Sequence, residues 1–195
     1  MCNIKLIVGL ANPGFKYTQT RHNVGSWYVN LLAQQQCKQL KKRDKFFGCI
    51  ANVNLMGNNI HLLVPTTFMN LSGKAVLTVA NFYHIEPHEI LVAHDELDIP
   101  VGIAKIKFGG SNNGHNGLKD IQNKFGNNNQ FYRLRIGISR PSDKNKILDF
   151  VLSEPSKIER ALIHQVISES IQCTNILIQG GLKSTIQRLH QFKAL

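Results

Sequence analysis

Apolar runs of strand length alternate along this chain with stretches whose apolar positions recur every three or four residues. Residues 5–10 form the first run and stop on Asn12-Pro13-Gly14, the pattern of a buried strand entering a turn. From 23 to 36 the recurrence of Trp27, Leu31 and Leu32 predicts a helix. Residues 38–45 are basic and have no apolar period, so they read as a linker. Two strand-like segments, 47–55 and 60–64, flank Met56-Gly57-Asn58-Asn59, a hairpin signal. A helix starts at Ser72 and carries Val76, Val79, Ala80 and Tyr83, and the next strand, 89–93, ends on the polar tetrad His94-Asp95-Glu96-Leu97. After Pro100 and Gly102 come a strand at 103–108, a Gly/Asn-rich loop at 109–117, a helix at 118–125 and a strand at 132–138. Beyond Pro141 strand signals cease: 156–178 puts Ile158, Leu162, Val166, Cys173 and Leu177 on one broad helical face, and Gly180-Gly181 precedes a last helix. Strands alternating with helices, plus one hairpin, predict the α/β class. The expectation is a single domain over 1–195 with a mixed, mostly parallel twisted sheet flanked by helices, its helical C-terminal part spanning about 156–195.

Composition changes this picture in one respect. A length of 195 residues, 43% hydrophobic and 18% charged, suits one ordered globular domain. The charge is less ordinary: 23 Lys and Arg face 12 Asp and Glu, a net +11. Such an excess attracts polyanions and favours nucleic acid or an anionic surface as a partner. The early apolar run at 6–11 falls far below the ~18 residues of a membrane span and lacks the basic leader of a signal peptide. Cys2, Cys37, Cys49 and Cys173 show no paired spacing, so reduced thiols in the cytoplasm are expected.

Several familiar chemistries fail at the residues. Ser72-Gly73-Lys74 resembles a phosphate loop, but Ala75 stands where Ser or Thr is needed and Phe68 where the leading Gly is needed. The segment 109–114 lacks the middle glycine of a dinucleotide fingerprint, and no G-x-S-x-G nucleophile elbow exists. What remains is a set of polar residues at the ends of apolar strands, where ligands bind in open α/β sheets. Asn12 follows the first strand, His22 opens the first helix, Asp95 ends another strand, Asn70 precedes Ser72, and Asn116 follows the Gly-rich loop. Singly, each has a plain explanation: the asparagines shape turns or cap helices, His22 is one of eight histidines, and Asp95 belongs to an acidic run with Glu96 and Asp98 that is either solvated or a loose metal holder. Together they suit direct hydrolysis of an activated ester. An imidazole takes a proton from water near neutral pH, a carboxylate on its other nitrogen fixes the tautomer, and amides orient water or an oxyanion.

At these residues the chain resembles the bacterial peptidyl-tRNA hydrolase family. The likeness rests on VGLANPG (8–14), TRHNVG (20–25), PTTFMNLSGK (65–74), HDELD (94–98), GHNGLKD (114–120) and RLRIG (133–137), with KNK at 144–146, all in family order. It implies a monomeric, cytoplasmic α/β hydrolase that cleaves the ester between a peptide and the 3′ ribose of tRNA, without metal or cofactor. By the resemblance, His22 is the general base, Asp95 orients it, and Asn12 with Asn70 and Asn116 positions peptide, water or oxyanion. Tyr17, Phe68 and Met69 line the cleft, and Lys107 with Arg135 grips the 5′ phosphate of many different tRNAs. The loop before His115 departs from the family, with Ser111-Asn112-Asn113 in place of a run richer in glycine and histidine, which puts its mobility and peptide contacts in question. Two other functions compete: a non-catalytic RNA-binding protein of the same fold, which has no need of a His-Asp pair, and a small-molecule esterase, which leaves the +11 charge unexplained.

Overall fold

The structure, a computed structural model, describes residues 3–195. One seven-stranded sheet organises them, in the order β2-β3-β4-β1-β5-β7-β6. The strands are β1 (Leu6–Gly9), β2 (Lys41–Arg43), β3 (Gly48–Leu55), β4 (Asn58–Pro65), β5 (Ile90–Glu96), β6 (Ala104–Phe108) and β7 (Tyr132–Gly137). β4, β1, β5 and β7 are mutually parallel, whereas β2, β3 and β6 add antiparallel edges. The sheet is therefore mixed with a parallel centre, as expected. Its central strands are apolar on both faces because helices cover both. On β1, Ile7 packs into the cluster under α1 (Val24–Gln35), α5 (Lys157–Ile178) and α6 (Leu182–Gln191). Leu6 and Val8 pack into the cluster under α2 (Ser72–Tyr83) and α3 (Asn116–Lys124).

Four boundaries move from their expected places, each for a local reason. Residues 38–45 are not a plain linker: Lys41–Arg43 pairs antiparallel with Gly48–Ile50. A cationic run can join a sheet as an edge strand, where one row of backbone groups faces water and charge blocks further pairing. The hairpin turn is only Met56-Gly57, at positive φ of 52° and 82°, and Asn58 and Asn59 already pair with Leu55 and Asn54. β5 runs on through the polar tetrad to Glu96, because His94, Asp95 and Glu96 all find partners inside the fold. α3 begins at Asn116 rather than 118, with the His115 side chain as its cap.

The C-terminal helices also revise one face. Ile158 is 75% exposed and Leu162 only partly buried, whereas Ile163, Val166, Ile167, Cys173 and Leu177 are buried. Val166, Cys173 and Leu177 keep the expected face, and packing against α6, α1 and β7 extends it to Ile163 and Ile167 while leaving Ile158 outside. Cys37, Cys49 and Cys173 are free thiols, and Cys2 lies outside the described residues.

One close approach sets the site. A Cβ on Gly9 would meet the Gly25 carbonyl oxygen at 2.4 Å, and one on Gly25 would meet the Ala93 carbonyl oxygen at 2.3 Å. The first turn of α1 thus lies directly on the backbones of β1 and β5, which only glycine permits. Residues 21–23, a 3-10 turn immediately before α1, are thereby held over the carboxyl end of β5.

Candidate active site

Chain direction brings the polar residues together. β1 sits between β4 and β5, so the connections leaving its neighbours diverge and open a crevice at the strand ends. Asp95 rises from β5 into that crevice, buried, and its Oδ1 is 2.9 Å from His22 Nδ1 and 2.9 Å from His115 Nε2. A carboxylate only accepts, so both ring nitrogens donate to this one oxygen. His22 is therefore left with an unprotonated Nε2, the nitrogen that can act as a base. On His115 the other nitrogen, Nδ1, accepts from the backbone N–H groups of Gly117 (3.2 Å) and Leu118 (3.4 Å) at the start of α3. That fixes the ring as the Nε2–H tautomer and ties Asp95 to a helix end.

The electrostatics follow from these partners. Burial alone would lower the His22 pKa, but the Asp95 charge and its hydrogen bond outweigh it and hold it above 6.5. Burial would raise the Asp95 pKa, yet His22 and His115 keep it well below the usual carboxylate range. His94, fully buried, is pushed down to about 3 by desolvation and the neighbouring His115, so it is neutral. Its Nδ1 donates to the Asp95 carbonyl at 2.7 Å, and its ring lies 5.0 Å from that of His115. His22 Nδ1, Asp95 Oδ1 and His115 Nε2 lie within 4.8 Å of one another, a donor set that a metal ion would fit in number. In this arrangement the three atoms are already joined by hydrogen bonds.

A cavity of about 240 Å³ opens beside the triad, lined by His22, Asp95, His115 and Asn116 and walled on its apolar side by Ile147, Leu148 and Val151. The apolar wall includes α4 (Ile147–Val151), a short helix that sequence reasoning did not single out. Arg21 secures it. Its guanidinium donates to Ser153 Oγ (2.7 Å), the Glu154 carbonyl (2.9 Å) and Glu159 Oε2 (2.8 Å), and covers the Phe150 ring.

The expected site residues divide into groups. His22, Asp95 and Asn116 share the cavity, and Asn12 lines a neighbouring hollow with Thr66 and Asn23. Asn12 is more than a turn former. Its Oδ1 accepts from the Met69 N–H at 2.8 Å, and its backbone exchanges two hydrogen bonds with the Asn23 side chain. Among the described residues its amide nitrogen has no acceptor. Met69 is buried in the core beside Gly117, whereas Phe68 is 54% exposed, Asn70 is exposed and Tyr17 half-buried. Neither Asn70 nor Asn116 caps a helix: a 3-10 turn leads into α2 without a side-chain cap, and His115 performs that task for α3.

The basic strands carry a second group. Antiparallel pairing sets Lys105 opposite Arg135 and Lys107 opposite Arg133, so four cations share one face. They are not equivalent. Arg133 is 2% exposed and donates to the carbonyls of Ser111 (2.6 Å) and Gly110 (2.8 Å), pinning the loop whose mobility the sequence left in question. Asn112 adds a bond to Gln122 at 2.6 Å. Arg135 is half-buried and paired with Glu96 at 2.9 Å, and Lys107 is exposed. His94, Lys107 and Arg135 line a small recess that adjoins the main cavity through His94 and Glu96. Glu96 thus orients Arg135, and Asp98 pairs with Arg140 at 2.7 Å, two assignments the acidic run by itself did not make. His115, His94 and Arg133 were also missed. Their only signal was a place inside recognisable motifs, since nothing in sequence spacing links positions 22, 95 and 115.

Known proteins share this architecture throughout. The family model described as peptidyl-tRNA hydrolase matches residues 6–195. The peptidyl-tRNA hydrolase of Serratia proteamaculans is 66% identical over 194 residues, covering 100% of this chain and 99% of the relative. That of Proteus mirabilis is 63% identical with full coverage of both, 100% and 100%. The crystal structure of peptidyl-tRNA hydrolase from Acinetobacter baumannii superposes with a TM-score of 0.95 at 41% identity, covering 99% of this chain and 97% of that one. With identity of this order over the whole length, the chain belongs to the peptidyl-tRNA hydrolase family.

Proposed function

We propose that this chain hydrolyses the ester that joins a peptide, or an N-blocked aminoacyl group, to the 3′ ribose of tRNA. The observation that carries it is the single Asp95 oxygen shared by His22 and His115 at 2.9 Å each, beside a cavity, in a chain of this family. His22 Nε2 takes a proton from water as the water oxygen bonds to the ester carbon. The carbonyl oxygen becomes an oxyanion, and the side-chain amides of Asn12 and Asn116 are assigned as its donors. When the carbon–oxygen bond to ribose breaks, the His22 imidazolium returns its proton to the departing 3′ oxygen. Asp95 stays ionised throughout and stabilises the imidazolium. Tyr17, Phe68 and Asn70, each at least partly exposed, are assigned to substrate binding, and the buried Met69, whose N–H holds Asn12 Oδ1, to positioning that asparagine. The protein is proposed to work as a monomer in the cytoplasm. No helix among the described residues is long and apolar enough to cross a membrane.

Release of the acyl group from an N-blocked aminoacyl-tRNA is the test. Turnover by the intact protein is expected. Binding of the tRNA with no release at all would leave the binding-only function standing instead. Lys107 and Arg135 are proposed to hold the terminal phosphate, a contact that carries no base information and so suits many tRNA bodies. Lys107→Ala and Arg135→Ala should each weaken tRNA binding and reduce the slope of log affinity on log salt by about 1. An unchanged slope in both variants would move the phosphate elsewhere.

A further inference from the structure

The charge excess is not used up by the β6–β7 patch. Residues 38–45 carry five cations, Lys38, Lys41, Lys42, Arg43 and Lys45, against one carboxylate, Asp44. The structure turns this run into the rim of a groove. Strand alternation separates the run into two faces. Lys41 pairs with Ile50 and Arg43 with Gly48 on the side covered by α2, whereas Lys42 points to the opposite face and pairs with Asp44 at 3.0 Å. Among the described residues, Lys38, Lys41, Arg43 and Lys45 have no carboxylate partner. These four, with the one carboxylate Asp44, line a groove of about 630 Å³ between β2 and the end of α2, and Lys42 neutralises that carboxylate from outside the groove.

Three rings line it, those of Phe46, His61 and Tyr83. Tyr83, the last residue of α2, stacks on His61 of β4 with ring centres 3.8 Å apart and 23° between planes. Phe82, beside it, meets Phe46 edge-on at 5.1 Å, and Lys45 lies 4.2 Å over the Phe82 ring. Phe82 stands at the edge of the groove through its contacts with Phe46 and Lys45, and with Phe82 54% and Tyr83 36% exposed, part of each ring reaches solvent beside cations that have no carboxylate partner. Core packing does not require exposed rings, and an edge strand protected against aggregation needs charge but no aromatic lining. Cations that track a backbone beside rings on which bases stack are what single-stranded nucleic acid needs.

The groove is separate from the cleft. β2 stands three strands from β1, about 14 Å at ~4.8 Å per strand, on the side away from β6 and β7. We propose that this β2–α2 groove is a second RNA-binding surface that takes a single-stranded segment, with phosphates on Lys38, Lys41, Arg43 and Lys45 and bases against Phe82 and Tyr83. An acidic protein segment or an anionic membrane matches the charge alone and has no use for the exposed rings.

Binding of a labelled 12-nucleotide oligoadenylate to the full-length protein tests this. Lys41→Ala combined with Arg43→Ala is expected to lower the salt slope by about 1.4, at ~0.7 per contact on a single strand. Lys42→Ala, which removes the same charge from the other face, should change it far less. Phe82→Leu keeps apolar bulk without a flat ring and should weaken binding by about fivefold or more, while Phe82→Trp should restore it. Equal losses from Lys42→Ala, or competition by oligoglutamate or phosphatidylserine vesicles as strong as by RNA, would reduce the groove to generic attraction and overturn the proposal. So would binding that falls only with Lys107→Ala and Arg135→Ala. None of these measurements reads ester cleavage, so failure here leaves the hydrolase function untouched, and a protein without turnover could still bind RNA in this groove.

Discussion

Asp95→Asn should lower turnover by a factor on the order of 10³–10⁴ while tRNA binding persists. Asparagine is isosteric and its oxygen can still accept from His22 and His115, so the geometry of the two 2.9 Å contacts survives. What is lost is the negative charge that stabilises the His22 imidazolium as the base takes its proton. The pH profile separates this cause from misfolding. In the native site His22 must be neutral to act, and its pKa stands above 6.5, so activity should rise with pH through an inflection above 6.5. In Asp95→Asn the charge is gone and burial, the largest influence, is opposed only by the surviving hydrogen bond to a neutral amide, so the residual activity should show an inflection moved down, below 6.5. His22→Ala should remove the inflection and the turnover together. If the Asp95→Asn inflection stayed above 6.5, some other group would be holding His22 in its charged form. Stability runs the other way: the raised His22 pKa stabilises the fold fully below the ordinary value and loses that contribution as pH rises through the raised one.

The second large effect concerns a residue with no chemistry of its own. Gly25→Ala places a Cβ 2.3 Å from the Ala93 carbonyl oxygen and 2.8 Å from Leu10 N, where real contacts begin near 3.0 Å. The oxygen belongs to β5 and cannot swing aside, so α1 must retreat by at least about 0.7 Å. Overpacking of this kind costs about 1–3 kcal/mol, against which alanine returns up to ~1 kcal/mol of helix propensity. The kinetic loss should exceed the thermodynamic one. His22 sits one turn before Gly25, and Asp95 two residues after Ala93, so the clash separates base from carboxylate. A displacement approaching 1 Å is expected to cost about 100-fold in kcat/KM. Urea unfolding and ester hydrolysis measured on the same preparation check both numbers. Full activity in a destabilised protein would show that the 21–23 turn, held also by Arg21 and the Asn12–Asn23 bonds, fixes His22 without help from α1.

Much of this was legible along the chain, and the exceptions are instructive. The central strands declared themselves because burial on both faces leaves near-continuous apolar runs, and the α/β alternation followed from them. β2 did not, since an edge strand needs no apolar side chain and Lys41-Lys42-Arg43 resembles any solvated run. The exposed Ile158 was misplaced because helical spacing defines a stripe but not how much of it the neighbours cover. Within the site, His22 and Asp95 were found through motifs, whereas His115 and Arg133 stood in those same motifs with no role. A histidine that binds a carboxylate with one nitrogen and caps a helix with the other has the sequence signature of any histidine. An arginine buried to hold two loop carbonyls likewise reads as one more surface cation.

The sequence by itself determined the class of fold, the candidate polar set and the excess of positive charge. These depend on which residues are present and on periods of two or three to four positions, which are local properties. The tertiary structure alone decided convergence: that Asp95 gives one oxygen to two histidines 73 and 20 residues away, that Arg133 is buried while Lys107, opposite it on the same face, is exposed, and that a basic run becomes the rim of a groove with aromatic lining. Those outcomes depend on strand order, register and the approach of one backbone to another, and no local pattern encodes a distance between segments far apart in the chain.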